Sequence, residues 1–274
     1  MNTEEQVAQH YTHGSLERTI LAALTASGKD IDNLVASDLS ALDEFHLGWR
    51  AATIAFGKDL GLEPHMHLLD IGCGIGGPAR YLAETYECRV TGVDLTAELV
   101  EVAEALTDRC GLDDRISYHQ ASALALPFED HSFDAASMIH VGMNIEDKAK
   151  LFAEAHRVLK PGMLFGVYDI MRARDMPLTY PMPWADTVET SFVETPETYR
   201  ELLRAQGFEI EQAHSRRDLA LTLSREMREK AAIDGPPPLG LHVIMGSAAT
   251  QRLANLFEAL QYGVIAPIEF IARR

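Results

Sequence analysis

Residues 68–77 read LLDIGCGIGG and decide the fold of this chain. A short apolar run ends in an acid, Asp70, and three glycines follow at alternate positions, Gly72, Gly74 and Gly76. Glycine tolerates positive φ and lets the backbone approach a ligand closely. The next segment has helical spacing and begins with a proline, which the first turn of a helix tolerates. The stretch therefore predicts a strand, a tight turn and a helix start that favours a nucleotide-like ligand.

A second acid, Asp94, ends the run RVTGVD at residues 89–94. An acid at the end of a second strand can accept hydrogen bonds from both hydroxyls of a ribose. Since Gly72, Gly74 and Gly77 also match the G-x-G-x-x-G pattern, NAD and S-adenosylmethionine both fit these two features. Asp70 separates them, because a carboxylate repels a pyrophosphate but attracts the ammonium and sulfonium of S-adenosylmethionine. The pattern therefore favours S-adenosylmethionine.

Two further stretches carry a family resemblance, ALPFEDHSFD at residues 125–134 and RVLKPG at residues 157–162. Together with the glycine turn, they make the chain similar to the class I S-adenosylmethionine-dependent methyltransferases over about residues 66–172. The resemblance implies an α/β fold, a Rossmann-like doubly wound and mainly parallel seven-stranded sheet with N-terminal helices and a helical cap. It also implies S-adenosyl-L-methionine as cofactor and S-adenosyl-L-homocysteine as product.

Composition and charge limit the class of partner. The chain has 274 residues, 24 Lys and Arg against 41 Asp and Glu, and a net charge of −17, which disfavours nucleic acid and anionic membranes. It shows neither a signal peptide nor a spanning apolar run. Its three cysteines lack metal-binding spacing, and the histidines form no metal motif. We expect a cytoplasmic enzyme with a small-molecule substrate and no metal, and the oligomeric state stays open.

The chain divides into four predicted segments. Strands alternate with helices from residue 66 to about residue 170, which predicts a parallel sheet with helices on both faces and ligands at the carboxyl ends of its strands. The predicted segments are an N-terminal helical cap at 1–65, a Rossmann-like cofactor-binding core at 66–218, a helical lid at 219–262 and the last strand of the core sheet at 263–274.

The resemblance assigns a role to each part of the cofactor site. Gly72, Gly74 and Gly76 are expected to line the methionine portion, and Asp70 to orient its ammonium. Asp94 is expected to bind the ribose hydroxyls. Leu95, Ser122 and Ala123 are expected to meet the adenine, although the family often has an aspartate where Ser122 stands.

A histidine after the fourth predicted strand, His140, is a candidate catalytic residue. Residues 139–152 resemble the phosphoethanolamine N-methyltransferases, in which a histidine here forms a dyad with an N-terminal tyrosine. Tyr11 is the candidate partner. The alternatives are that His140 only bonds the backbone near the cofactor and that Tyr11 only packs a helix.

The segment LDEFHLGWR at residues 42–50 supplies another similarity, to the helix before the first strand in sarcosine and dimethylglycine N-methyltransferases. This similarity implies that His46 contacts cofactor or substrate. Arg50 can bind a substrate carboxylate or lie on the solvated surface.

The sequence therefore predicts methyl transfer to a small metabolite. The leading acceptor is an amine, either sarcosine- or dimethylglycine-like or a phosphobase. A quinone or sterol-like ring methylated on carbon is the second hypothesis. A non-catalytic S-adenosylmethionine-binding protein and an NAD oxidoreductase are hypotheses from other classes.

Overall fold

The computed structural model describes residues 2–235 and 237–274. Its strands form one seven-stranded sheet. The strands are β1 (His67–Ile71), β2 (Arg89–Asp94), β3 (Ile116–Gln120), β4 (Phe133–Ile139), β5 (Leu159–Arg172), β6 (Glu209–Ser215) and β7 (Ile265–Arg273).

Helices precede, connect and follow these strands. They are α1 (Thr3–Tyr11), α2 (Leu16–Ala26), α3 (Ala36–Asp43), α4 (Trp49–Asp59), α5 (Gly77–Tyr86), α6 (Ala97–Arg109), α7 (Lys148–Val158), α8 (Pro196–Ala205), α9 (Arg217–Asp234), α10 (Leu241–Met245) and α11 (Ala249–Gln261). Within the described residues, every helix is too short or too polar to cross a membrane.

The sheet has the order β3-β2-β1-β4-β5-β7-β6. Strands β3, β2, β1, β4 and β5 pair in parallel, whereas β7 runs antiparallel to both β5 and β6. The predicted Rossmann-like, mainly parallel seven-stranded sheet is thereby confirmed. Strand β5 has 14 residues, and its pairing continues to Arg172, which lies opposite Ile265 of β7.

Alternate residues of β1 enter the cores on the two faces of the sheet, as the two-residue period of a strand requires. Leu68 packs with α4, α5 and α6, where Phe56 and Leu82 are buried. Leu69 packs on the opposite face with α7, where Phe152 is buried. The chain therefore changes faces between β1 and β4.

This change of face opens a crevice at the carboxyl ends of β1 and β4, which is where ligands bind in open α/β sheets. The register places Asp70 of β1 between Gly92 of β2 and Ser137 of β4. The N-terminal helices lie beside the crevice, since Leu16, Ile20 and Leu24 of α2 share a core cluster with Ile75 and Leu99. The boundaries predicted for the four segments stay a prediction.

Candidate functional site

The turn after β1 brings backbone to the wall of a cavity. Gly72 has φ +73°, and a Cβ there would lie 2.2 Å from Cγ2 of Val141. Gly74 has φ +53° and no atom within 4 Å of a Cβ position. Both glycines line a cavity of about 270 Å³. The predicted turn is therefore present, and its open side faces the cavity.

The third glycine, Gly76, packs closely against a buried side chain. Gly76 is not among the residues that line the cavity. A Cβ at Gly76 would lie 2.3 Å from Oη of Tyr118. Gly76 is the N-cap residue of α5 and has φ +82°. The expectation that Gly76 lines the methionine portion stays a prediction. The residue is a glycine because it packs against Tyr118.

Asp70 offers an unpartnered carboxylate oxygen to the cavity. The residue is 2% exposed, and its Oδ1 accepts a hydrogen bond of 2.8 Å from Oγ of Ser137. Its Oδ2 is buried and has no hydrogen-bond partner among the described residues. Burial raises the pKa of Asp70 to about 6, although the Ser137 bond opposes this shift. A buried acceptor of this kind suits a cationic donor.

Asp94 lies at the end of β2 and is held by backbone donors. Its Oδ2 accepts from N–H of Gly74 at 3.0 Å, and its Oδ1 accepts from N–H of Thr96 at 2.9 Å. Burial raises the pKa of Asp94. The neighbouring Leu95 also lines the cavity, as does Ala123 after β3. The structure thus brings these predicted cofactor residues together along one edge of the sheet.

Ser122 follows β3 and is hydrogen-bonded to helix α1. Its neighbours Ala121 and Ala123 line the cavity, but Ser122 does not. Its hydroxyl donates to a carboxylate oxygen of Glu4 in α1 and accepts from N–H of Leu124 at 3.0 Å. The expected contact of Ser122 with adenine stays a prediction, and in this structure Glu4 engages the hydroxyl.

His140 combines backbone strain with an unpartnered ring nitrogen. Its φ is +55°, a left-handed conformation that costs free energy for a residue other than glycine. The backbone N–H of His140 donates to the backbone carbonyl of Tyr168 at 2.7 Å. Its Nε2 is buried without a hydrogen-bond partner among the described residues. Burial lowers the pKa of His140 well below its ordinary value, so the imidazole is neutral at neutral pH.

Tyr11 is paired with Asn144 in this structure. Its hydroxyl donates to Oδ1 of Asn144 at 3.1 Å, and Nδ2 of Asn144 donates to the carbonyl of Trp184 at 2.8 Å. The anchored amide thus turns its oxygen toward Tyr11. The expected direct pairing of Tyr11 with His140 is absent from the described contacts, and the two side chains instead line the same cavity.

His46 lies behind His140 and is fully enclosed. The centroids of the two imidazole rings are 5.7 Å apart, and Tyr168 packs against both rings. Nε2 of His46 lies 3.1 Å from the carbonyl of Trp49 and 3.1 Å from Oγ1 of Thr53. Burial lowers the pKa of His46 to about 4. His46 borders the cavity, and its predicted contact with the cofactor stays a prediction.

A second, smaller cavity of about 50 Å³ continues from the first at His140 and His46. The two cavities share the side chains of Tyr11, Phe45, His46 and His140. Apart from these, the lining of the second cavity is almost entirely apolar, formed by Leu47, Trp49, Met143, Ile170, Pro183, Trp184, Leu241, Leu253, Leu256 and Phe257. We name this space the apolar chamber.

Three residues of the site escaped the sequence analysis. Glu4, Asp43 and Asn144 all line the larger cavity. Oδ2 of Asp43 accepts from Nη2 of buried Arg80 at 2.9 Å, whereas its Oδ1 is buried without a hydrogen-bond partner among the described residues. Their roles depend on partners far along the chain, so the local sequence carries no signal for Glu4 or Asn144. For Asp43 the sequence offered one signal, which is that this acid directly follows the buried Leu42.

A separate group of metal-type ligands lies near β6 and β7, away from the cavity. Ligand atoms of Asp59, His214 and Glu269 lie within 4.8 Å of one another. Nη2 of Arg216 donates to Oδ2 of Asp59 at 2.5 Å and to Oε1 of Glu269 at 2.8 Å. The guanidinium therefore supplies the positive charge between the two carboxylates.

Residues 69–166 match a protein family model described as "Methyltransferase domain". A sterol 24-C-methyltransferase (ERG6B) of Gibberella zeae is 37% identical over 111 residues, 40% of this chain and 29% of that protein. A sarcosine/dimethylglycine N-methyltransferase of Halorhodospira halochloris is 34% identical over 148 residues, 54% of this chain and 53% of that protein. The chain thus matches only part of the length of these relatives.

Solved structures share the fold. A geranyl diphosphate C-methyltransferase of Streptomyces coelicolor A3(2) has a TM-score of 0.71, 16% identity and coverage of 100% of this chain and 98% of that chain. The [4+2]-cyclase SpnF has a TM-score of 0.69, 23% identity and coverage of 100% and 97%. Phosphoethanolamine N-methyltransferase 2 of Haemonchus contortus has a TM-score of 0.67, 23% identity and coverage of 84% and 54%.

These matches and the sheet topology confirm the predicted fold. Residues 69–166 form a methyltransferase domain, and the chain has the fold of the class I S-adenosylmethionine-dependent methyltransferases. Its relatives include methyltransferases of nitrogen and of carbon in small molecules.

Proposed function

We propose that the chain transfers the methyl group of S-adenosyl-L-methionine to a small molecule by in-line displacement. The observation that carries this proposal is the buried, unpartnered Oδ2 of Asp70 in the crevice between β1 and β4. A pyrophosphate would be repelled there, whereas an ammonium supplies the missing donor. When bound, S-adenosylmethionine supplies an electrophilic methyl group on a sulfonium, and S-adenosyl-L-homocysteine is the product.

The residues of the cavity fit the parts of this cofactor. Asp70 can accept a hydrogen bond from the ammonium, and the open side of Gly74 leaves room for the methionine backbone. Asp94 is fixed by two backbone N–H groups, and its carboxylate borders the cavity where ribose hydroxyls can donate. The apolar side chains of Leu95 and Ala123 can then enclose the base. No described lysine or arginine lines the cavity to bind a phosphate.

His140 is the best-placed protein group for the acceptor. It lies where the cofactor cavity meets the apolar chamber, and its neutral ring presents an unpartnered Nε2. That nitrogen can hold the N–H or O–H of an acceptor or take a proton from it. Alignment of the acceptor and exclusion of water supply most of the acceleration, roughly 7–11 kcal/mol in well-oriented reactions.

The apolar chamber favours an acceptor whose reacting end is uncharged and largely apolar, such as a quinone-like ring methylated on carbon. No described lysine or arginine lines the chamber to pair with a carboxylate or a phosphate. Arg50, the expected candidate for such pairing, instead donates to buried Glu44 and lies over the ring of Tyr81. A sarcosine-like acid or a phosphobase would therefore lack a counter-ion in this chamber.

An amine acceptor is the second candidate, and a different observation supports it. The larger cavity carries acids at Glu4, Asp43, Glu146 and Asp147. Burial lowers the pKa values of His46 and His140, two of the histidines that line it, so both are neutral at neutral pH. Carboxylates beside neutral imidazoles give the cavity a negative charge. Such a cavity tolerates an acceptor nitrogen that gains positive charge on methylation. The match to a sarcosine/dimethylglycine N-methyltransferase points the same way.

A methyl-transfer screen with labelled S-adenosylmethionine tests the proposal. One panel holds small amines, and the other holds phenols, quinols and related apolar rings. Label on the ring panel supports the acceptor class favoured by the chamber, whereas label on the amines selects the second candidate. Binding of S-adenosylhomocysteine without transfer to either panel would favour a non-catalytic cofactor-binding protein. A thermal shift with NAD but none with S-adenosylhomocysteine would overturn the cofactor assignment.

Replacing Asp94 with alanine is expected to weaken S-adenosylhomocysteine binding by about 10- to 100-fold, because hydrogen bonds to a charged acceptor are lost. Isothermal calorimetry measures the change. The control is Glu146→Ala, which removes an exposed acid at the rim of the same cavity. Equal affinity of wild type and the Asp94 variant would refute the ribose assignment.

Affinity for S-adenosylhomocysteine is expected to fall as the pH is lowered through about 6, the raised pKa of Asp70. The protonated carboxyl no longer attracts an ammonium, so affinity drops by up to about tenfold per pH unit. In the unliganded protein the same raised pKa has the opposite effect on stability, because it makes the folded state less stable as the pH rises. The native state holds this proton longer than the unfolded state, so Asp70 lowers the free energy of unfolding as the pH rises from about 4 to about 6. Calorimetry and denaturation across this range check both signs, and a flat affinity profile would contradict the assignment.

A further inference from the structure

Helix α1 turns one face toward the larger cavity. Glu4, Val7 and Tyr11 all line it, and they follow one another at helical spacings of three and four residues. Glu4 and Tyr11 are seven residues apart, so the helix carries them about 10 Å apart along its axis. The described face of α1 therefore covers the cavity over two turns.

The two ends of this face contact different strands of the sheet. Glu4 accepts from the hydroxyl of Ser122, two residues after β3, and Tyr11 donates to Asn144, which follows β4. Because β2 and β1 lie between β3 and β4, these anchor points are three strand spacings apart, about 14 Å. Helix α1 therefore spans the carboxyl edge of the sheet along the length of the cavity.

The order of the strands also fixes the order in which charged and apolar side chains follow one another along the cavity. Asp70 is on β1, Asp94 is at the end of β2, and the apolar lining of Leu95, Leu99 and Ala123 follows toward β3. An extended ligand with its cation at Asp70 and its ribose at Asp94 therefore places its base between these apolar side chains. At that end of the cavity the base meets Glu4.

We infer that Glu4 recognises the base of the cofactor by accepting a hydrogen bond from the exocyclic amino group of adenine. This inference rests on the proposed function. The Ser122 hydroxyl engages Oε1 of Glu4, which leaves Oε2 for the ligand. A carboxylate only accepts, so it selects an amino group and repels the carbonyl of a deaminated base.

The test compares S-adenosylhomocysteine with S-inosylhomocysteine, whose base carries a hydrogen on N1. In the second ligand a carbonyl replaces the amino group. Calorimetry with the full chain measures both dissociation constants for wild type, Glu4→Gln and Glu5→Gln. Glu5 is the matched control because it removes a charge in the same turn and keeps a side chain able to form the capping box with Asn2.

Wild type and Glu5→Gln are expected to prefer the adenine ligand by about tenfold or more. In Glu4→Gln the preference is expected to fall to within about twofold, because a neutral amide both donates and accepts. A preference that survives in Glu4→Gln, or that is absent from wild type, overturns the inference. Wild type that binds neither ligand contradicts the proposed function instead, so the two failures are distinguishable.

Discussion

Replacing His140 with alanine is expected to lower kcat by about 10²- to 10⁴-fold, the range of a positioned acid or base group. The dissociation constant for S-adenosylhomocysteine is expected to change little, because Asp70 and Asp94 remain. The loss of kcat is expected because the neutral ring of His140 lies at the boundary of the cofactor cavity and the apolar chamber. Steady-state kinetics on the acceptor identified by the screen and calorimetry with the product measure the two quantities.

The glycine variant separates the imidazole from the strained backbone. His140 has φ +55°, which glycine adopts freely and alanine does not. His140→Gly is therefore expected to unfold with a free energy about 1 kcal/mol higher than His140→Ala, the reverse of the usual order. Both variants lack the ring and should be equally inactive. A glycine variant that recovers turnover would show that His140 acts through its backbone alone. An alanine variant that loses product binding but keeps its rate at saturation would make His140 a cofactor contact only.

Replacing Asp70 with asparagine is expected to weaken S-adenosylhomocysteine binding by about 100-fold and to stabilise the unliganded protein. The lost charge removes the partner of the ammonium, and hydrogen bonds to charged groups contribute about 1.5–3 kcal/mol. The gain in stability has the opposite origin, because a buried carboxylate with a free oxygen costs free energy in the folded state. At pH 8 the free energy of unfolding is expected to rise by about 1–3 kcal/mol. Calorimetry and urea denaturation measure these two effects.

A second buried aspartate provides the matched control. Burial also raises the pKa of Asp169 to about 6, but its Oδ2 accepts from the hydroxyl of Tyr199 at 2.6 Å and it does not line the cavity. Asp169→Asn is therefore expected to alter stability while leaving product affinity near that of wild type. Product binding by Asp70→Asn at wild-type strength would remove the observation on which the proposed function depends.

The local sequence was sufficient to predict the strand, turn and helix at residues 67–86 and the acids on either side of the turn. Asp70 and Asp94 end short apolar strands, and in a parallel sheet such ends lie on one edge. Gly72 and Gly74 were predictable for the same reason, since a turn at a ligand needs residues without side chains. The mainly parallel sheet with helices on both faces followed from the alternation of strands and helices along the chain.

The tertiary structure alone decided which side chains meet across the cavity. Gly76 packs against Tyr118, Ser122 engages Glu4, and Tyr11 pairs with Asn144 rather than with His140. Glu4 and Ser122 are 118 positions apart, and Tyr11 and Asn144 are 133 apart. Such pairs depend on how the N-terminal helix docks on the sheet, and no local pattern encodes that docking. The apolar chamber has the same origin, because its walls come from segments that only the folded chain brings together.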